Sequence, residues 1–429
     1  LRRWWGWPLL GAGLASEAVY LAATLRLSWW RYGGSLTSWR RILGEDRLGL
    51  IACLAGIGVL AAAYLWGWRA LRNRATARRL VWAFVLVFAL TLFWLLPITS
   101  DLFIYLSTAH VFTDLGANPL IEAPAELPAD RVTLAYPAEY FLIPSAYGPA
   151  WALISAPATL GEHDVGWGLL YLKGVAVAAY VACAWSVERI LSKVRPEQKL
   201  EGLYLFAWNP LVLLMAVGDG HNDIAMVAAV LIAALLLLRG RWIWSAAALV
   251  LSVWIKYVSV IYLPLFALYA WWRLDRDRRW PVMMRSGLVM VGLSVLVVAP
   301  FWHIELATGT VKRLLSPASW PGDPSSLPGW ALGLGLLLFA IVYGFLLWRR
   351  IREAGSGKGR DFEVLANTCL TVSLLAFVMG FARSQPWHLV WALAWVGCAS
   401  VRWASWTSIA LSVVMLVAQA WVEWGTPGL

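Results

Sequence analysis

Residues 80–101 read LVWAFVLVFALTLFWLLPITSD, and this stretch decides how the chain is to be read. The run Leu80 to Ile98 is nineteen residues long and apolar, close to the ~20 residues that a helix needs to cross a bilayer. It ends in Thr99-Ser100-Asp101, and the stretch after it, Leu102 to His110, mixes aromatic and polar residues. An ionisable group where a span emerges is costly unless it has a task. A carboxylate at the membrane surface suits one task well, taking a proton from a hydroxyl substrate while the rest of the substrate stays in lipid. The competing reading of Asp101 is a cap on the helix that follows.

The rest of the chain agrees with a membrane reading. Of 429 residues, 61% are hydrophobic and only 14% charged, where a soluble protein would carry roughly a quarter. Leu1-Arg2-Arg3 before a long apolar stretch reads as a retained first span rather than a cleaved leader. The net charge of +11 is concentrated in short loops: Arg69 to Arg79, Arg273 to Arg279 and Arg349 to Arg360. Between apolar runs this is an orientation signal and no nucleic-acid footprint. The four cysteines, Cys53, Cys183, Cys369 and Cys398, lie in apolar stretches without metal or redox spacing. Most of the 31 tryptophans fall near run ends, as an interfacial belt requires, and a few beside polar clusters are placed to stack on a sugar.

Fourteen apolar runs are legible: 8–27, 48–68, 80–98, 146–160, 166–188, 202–217, 222–239, 242–254, 257–272, 282–302, 329–348, 363–382, 387–400 and 403–421. With the loop 69–79 placed in the cytoplasm, Asp101 is outside. If every later run crosses, the basic loops 189–199, 273–279 and 349–360 fall on the wrong side. One non-crossing run repairs all three. The run 146–160 is short, contains Pro149 and Pro157, and is followed by acidic Glu162-His163-Asp164, so it is expected to re-enter from the outer face. The expectation is an all-α polytopic membrane protein with about 13 transmembrane helices, one re-entrant helix, and an interfacial helix in a long outer loop. The expected divisions are an N-terminal hairpin (1–79), a module with the outer loop 99–146 (80–272) and a C-terminal module (273–429).

The repaired topology puts the remaining polar clusters on the face of Asp101. Gly218-Asp219-Gly220-His221-Asn222-Asp223 joins two apolar runs. A turn needs the glycines and Asn, but not two carboxylates and an imidazole, which cost about 2.5–3.5 kcal/mol each at mid-bilayer and less near the surface. A metal site is the rival reading of Asp219, His221 and Asp223, although the spacing matches no familiar ligand set. Lys256 interrupts two apolar segments and suits a phosphate, or else snorkels at a span end. Arg383 offers paired N–H donors to a phosphate, whether on a substrate or a lipid headgroup. Asp130, Arg131, Lys312 and Arg313 read as surface charges. A base, hydrogen-bonding groups and cations for a phosphate leaving group together point to glycosyl transfer from a lipid-linked phosphosugar.

The order of these motifs resembles the GT-C superfamily of polyprenyl-phosphate-sugar-dependent glycosyltransferases. It is closest to the bacterial polyprenol-phosphomannose-dependent α-mannosyltransferases and the first mannosyltransferase of GPI-anchor synthesis. The carrying residues are Thr99 to Tyr105, Gly116 to Pro119, Tyr147-Gly148-Pro149, Trp208-Asn209-Pro210 with Gly220 to Asp223, Lys256 ahead of Leu263-Pro264, and Gln385-Pro386-Trp387-His388 with Trp391. The resemblance covers about 80 to 390. It implies that Asp101 is the catalytic base. Many members carry a paired acid, but Phe103 stands in the second place here, which argues against an obligatory metal and leaves any second carboxylate to Asp219 or Asp223. The runs 8–27 and 48–68 lie ahead of the usual first helix of the superfamily and read as an added hairpin.

The resulting expectation is an inverting transfer of a sugar, mannose by the resemblance, from a polyprenyl-phosphate donor to a hydroxyl of a glycan or glycolipid acceptor at the extracytoplasmic side of the cell membrane. Asp101 acts as base, and Lys256 and Arg383 bind the donor phosphate. Tyr105, Tyr147, Asp219, His221, Asn222, Asp223, Gln385 and His388 contact sugar or acceptor. No cofactor is expected. The alternatives are a flippase for a lipid-linked saccharide, which requires polar groups reachable from both faces in turn, and a metal-dependent oligosaccharyl or phospholipid-sugar transferase.

Overall fold

The computed structural model of the chain describes residues 6–32, 39–44, 47–71, 75–128, 143–160, 164–302, 329–355, 362–380, 385–399 and 402–425. These residues are almost wholly helical. The principal helices are α1 (Trp7–Arg26), α2 (Arg47–Ala70), α3 (Ala75–Phe93), α4 (Asp101–Thr113), α5 (Pro149–Ser155), α6 (Val165–Val194), α7 (Lys199–Ala207) and α8 (Asp223–Leu238). They continue with α9 (Trp242–Ile255), α10 (Leu263–Arg273), α11 (Arg276–Val298), α12 (Gly329–Gly355), α13 (Phe362–Leu375), α14 (Val390–Val396) and α15 (Arg402–Gly425). Each of the fourteen apolar runs is helical over most of its described residues. Among the described residues seven helices are long and apolar enough to cross a membrane, and the protein is an integral membrane protein.

Several runs differ from a plain span, for legible reasons. The run 202–217 bends by 47° between α7 and the segment Pro210–Gly218. Pro210 cannot donate to the helix, and Asn209 restarts it by accepting from Leu211 N at 2.9 Å and Val212 N at 3.4 Å. The segment Leu213–Gly218 is then π-helical. The runs behind α8, α9 and α13 are shorter than a full crossing. The run 146–160 holds only seven α-helical residues and four of 3-10 helix. The helix expected after Asp101 exists as α4, and Leu102 to Val111 within it are buried.

The described chain forms two compact units. The first comprises residues 1–102, 173–224 and 385–429, and the second 103–172 and 225–384. In the first, Tyr20, Phe84, Phe88, Tyr204 and Trp208 make edge-on and tilted ring contacts 4.8–5.4 Å between centroids. Phenols are tied off on carbonyls there: Tyr64 donates to Leu205 O at 2.7 Å and Tyr204 to Tyr64 O at 2.9 Å. Buried Glu188 is bound by the guanidinium of Arg78 and by Trp82 Nε1. In the second unit, Leu120, Ala152, Val298 and Phe301 form a core, and Tyr262 bonds to Ser373 at 2.7 Å. The tryptophans divide between exposed positions and the core. Trp7, Trp30, Trp244 and Trp302 are exposed, whereas Trp151, Trp208, Trp391 and Trp395 are core residues.

Candidate active site

The site in the first unit is built from three segments at helix ends. The first leaves α3 and runs from Trp94 to Asp101. Many backbone polar groups along it have a partner. Trp94 O accepts from Trp29 N at 2.9 Å, Leu96 N donates to Leu27 O at 2.9 Å, and Trp39 Nε1 donates to Leu96 O at 3.0 Å. Ile98 N and Thr99 N both donate to Asp219 Oδ1, at 2.5 and 2.8 Å. Away from water such pairing is obligatory, and it fixes the place where α4 begins at Asp101.

The second segment is the turn Gly218 to Asp223 between the π-helical segment and α8. Gly220 lies at φ +75°, and a Cβ there would stand 2.8 Å from Leu102 Cδ2, so the turn needs glycine for both reasons. The turn carries Asp219 back against the first segment. Besides the two amides, Asp219 meets His221 Nε2 through Oδ2 at 2.9 Å. Thr99 Oγ1 lies 3.3 Å from the same Nε2 and donates to Asp101 Oδ2 at 3.3 Å. The other ring nitrogen, His221 Nδ1, faces Asp101 Oδ1 at 3.8 Å. An imidazole thus stands between two carboxylates, one holding it and one beside it.

The third segment is Gln385 to Trp391. Trp387 stacks on the His221 ring with centroids 4.0 Å apart and planes 17° off parallel. Trp391 Nε1 donates to Asp223 Oδ1 at 2.5 Å. His388 packs on Trp391 at 4.8 Å, and its Nδ1 accepts from Gln385 N at 3.3 Å.

Exposure sorts the acids. The side chain of Asp219 is 0% exposed and His221 1%, whereas Asp101 keeps 13%. Asp223 and Asn222 are buried as well. Asp101 is therefore the part-exposed acid among these three carboxylates. Burial is the largest influence on His221 and works against its protonation. The charges of Asp101, Asp219 and Asp223, with the hydrogen bond from Asp219, outweigh it and raise the imidazole's pKa above the ordinary value. When protonated, the ring donates Nε2–H to Asp219 and presents Nδ1–H toward Asp101.

The second unit holds other residues singled out in the sequence. Tyr105 is fully buried, edge-on to Tyr147 at 4.8 Å and to Trp151 at 5.0 Å. Tyr147 is part-exposed, and the Lys256 ammonium sits 5.9 Å from its ring centre. Lys256 is an extended break between α9 and a 3-10 turn. Gly148 N donates to Ile255 O at 3.3 Å, and a Cβ on Gly148 would lie 2.0 Å from Trp254 O, so the entry to α5 depends on a missing side chain. His110 pairs with Asp114 at 2.6 Å. Arg383, Asp130, Arg131, Lys312 and Arg313 lie outside the described residues.

One group escaped the sequence reading. Lys173, within the apolar run 166–188, is fully buried in α6. Its Nζ donates to Leu95 O at 2.5 Å and to Gly218 O at 2.6 Å. A charge inside an apolar run was the available signal. Trp387 and Trp391 were visible as motif residues, but nothing in their spacing told which ring would cover His221. Among the described residues, no three His, Cys, Asp or Glu side chains are grouped to hold a metal ion.

The fold and this cluster define an integral membrane protein with a polar site assembled at helix breaks. The family model described as alpha-(1->6)-mannopyranosyltransferase, N-terminal domain, matches residues 9–274, and the chain belongs to that family. It is a glycosyltransferase of the mannosyltransferase class. The match begins in α1, so the hairpin that read as an addition to the superfamily lies inside this family's own domain.

Among the relatives, alpha-(1->6)-mannopyranosyltransferase A of Mycobacterium tuberculosis is 25% identical over 425 residues, covering 90% of this chain and 76% of the relative. Alpha-(1->6)-mannopyranosyltransferase B of Corynebacterium glutamicum is 26% identical over 348 residues, covering 70% and 56%. A probable alpha-(1->6)-mannopyranosyltransferase of Mycolicibacterium smegmatis is 24% identical, covering 74% and 64%. The chain thus spans between about half and three quarters of the length of these relatives. No solved structure matches the chain.

Proposed function

We propose that the protein transfers mannose from a polyprenyl-phosphate donor to a hydroxyl of a mannose-containing glycan or glycolipid, forming an α-(1→6) linkage at the extracytoplasmic face. The linkage is carried over from the activity for which the relatives are named. The face is argued from the positive-inside rule with the run 146–160 taken as re-entrant, a reading supported by its short helices of seven α and four 3-10 residues. About 13 crossings remain the expected count.

Asp101 Oδ takes the proton of the acceptor hydroxyl. The acceptor oxygen forms its bond to the anomeric carbon as the bond from that carbon to the phosphate oxygen breaks, and the electron pair leaves on polyprenyl phosphate. Direct displacement inverts the anomeric centre. Lys256 and Arg383 are assigned to the leaving phosphate by the chemistry of their side chains. Tyr147, Gln385 and His388 are assigned to sugar or acceptor. Asp219, His221, Asn222 and Asp223 act from behind Asp101, since they are buried, and Tyr105 acts through Tyr147.

The observation that carries this reading is the part-exposed Asp101 set against a buried, oriented Asp219–His221 pair. The test is Asp101→Asn in the purified full chain. Donor binding is expected to persist while transfer falls at least a thousandfold; transfer near the wild-type rate removes Asp101 from the mechanism. Loss of transfer on chelation, restored by a divalent ion, would favour the metal-dependent alternative.

A further inference from the structure

Lys173 is an expensive residue with no place in the chemistry just described. It is fully buried on α6, a helix apolar and long enough to span a membrane. An ammonium there must be satisfied, and this one is satisfied by two carbonyls of a particular kind. Leu95 O belongs to the segment that leads into Asp101. Gly218 O ends the π-helical segment that leads into Asp219 and His221. Neither carbonyl is in a regular helical ladder, so neither has a helical N–H to fall back on. The two segments also touch directly: a Cβ on Gly218 would stand 3.1 Å from Leu95 Cδ2. The clamp lies three and four residues from the Ile98 and Thr99 amides that Asp219 grips, on the other side of the same crossing.

We propose that Lys173 is a positioning residue of the transfer site: by holding the Leu95 and Gly218 carbonyls on one ammonium, it sets the spacing between the segment carrying Asp101 and the turn carrying Asp219 and His221. This rests on the reading of Asp101 as the base. Without the clamp both segments keep their own local bonds but lose their common fixed point, and the 3.8 Å approach of His221 Nδ1 to Asp101 is no longer enforced. The effect falls on the chemical step rather than on donor binding, because Lys173 itself is out of reach of any substrate.

The experiment compares wild type, Lys173→Met and Lys173→Arg in lipid nanodiscs. It measures kcat and KM with polyprenyl-phosphate mannose, the pH profile of kcat, and hydrogen exchange over 94–101 and 218–223. The Met variant keeps the stem and loses the donors. The expected result is at least a tenfold fall in kcat with donor KM within threefold, an alkaline limb shifted to lower pH, and faster exchange confined to those two segments. The Arg variant keeps a buried cation but spreads its donors over a longer planar head, so it should fold and show the same pattern more weakly. A folded Met variant with wild-type kcat and pH profile overturns the proposal. If the Met variant does not fold, an Arg variant that folds and matches wild type in all three readouts overturns it, because Lys173 then supplies stability alone. If wild type itself transfers no sugar, the transferase reading fails, and the exchange pattern alone decides whether the clamp exists.

Discussion

Asp219→Asn isolates one interaction of the site. Asp219 has two tasks. Its Oδ1 accepts from the Ile98 and Thr99 amides, and its Oδ2 accepts from His221 Nε2–H. An asparagine keeps a carbonyl oxygen for the amides, so the crossing of the two segments survives. Its NH2 group then faces Nε2 and can only donate. His221 is forced to the neutral tautomer with its proton on Nδ1, and the positive charge beside Asp101 is lost. The variant therefore deletes one buried, charge-assisted hydrogen bond, worth about 1.5–3 kcal/mol. If that whole amount is expressed in the transition state, kcat falls about 10- to 150-fold at 1.36 kcal/mol per decade. The assay is transfer of labelled mannose from polyprenyl-phosphate mannose to an α-mannoside acceptor, with donor and acceptor concentrations varied separately. The donor KM should move less than threefold, since Asp219 is sealed from substrate. A monodisperse Asp219→Asn variant with kcat within twofold of wild type would refute the idea that Asp219 acts on catalysis through His221. A loss seen only in KM would refute it equally, by making Asp219 a substrate contact.

Two further outcomes follow from the same geometry. Because the pKa of folded His221 is raised, its protonation stabilises the fold fully below the unfolded value near 6.5 and ceases to do so as pH rises through the folded value. The wild-type melting temperature and kcat should therefore both decline on the alkaline side, and His221→Gln should flatten that decline in the melting temperature; an unchanged slope in the variant counts against the assignment. Gly148→Ala places a methyl 2.0 Å from Trp254 O, a clash with backbone that cannot rotate away. It should lower the stability of the purified protein by about 1–3 kcal/mol or more, read as a fall in melting temperature, whereas Gly174→Ala, with open space around it, should not.

Helix positions were legible in the sequence because the apolar runs are long and the polar breaks between them are sharp. Asn209-Pro210 illustrates why a break is readable: proline removes a donor and asparagine replaces it as a cap, a local rule that needs no tertiary information. The turn Gly218 to Asp223 was legible as costly for the same reason. What the turn does was not. Whether Asp219 faces a substrate or the backbone of residues 98 and 99 depends on a separation of about 120 residues in sequence, and no local pattern encodes that distance. The same holds for Trp391, whose indole takes up Asp223 across 168 residues. Tyr105 was placed one helical turn beyond Asp101, which is correct, but its burial against Tyr147 and Trp151 depends on where α5 enters.

Lys173 explains more than its own position. A cluster with three carboxylates and one imidazole at buried helix ends carries a large cost of desolvation, and such a cost is tolerable only when each charge is paired. Asp219 is met by two amides and an imidazole, Asp223 by an indole, and Lys173 by two carbonyls. These pairings occupy the buried members and leave Asp101 as the part-exposed carboxylate, 3.8 Å from His221 Nδ1. Apolar residues of similar volume in place of Asp219 and Lys173 would take partners from the Ile98 and Thr99 amides and from the Leu95 and Gly218 carbonyls, so these two side chains also serve buried backbone polar groups. The imidazole of His221 answers to no such backbone need, and its place between Asp219 and Asp101 is accounted for if the cluster also holds Asp101 in place. That makes a specific claim about replacement: converting Asp219, His221 and Lys173 together to Leu, Phe and Met takes partners from the Ile98 and Thr99 amides and from the Leu95 and Gly218 carbonyls, so the protein should melt lower than the single variant Asp219→Asn, which keeps an acceptor for the amides, and should transfer no mannose.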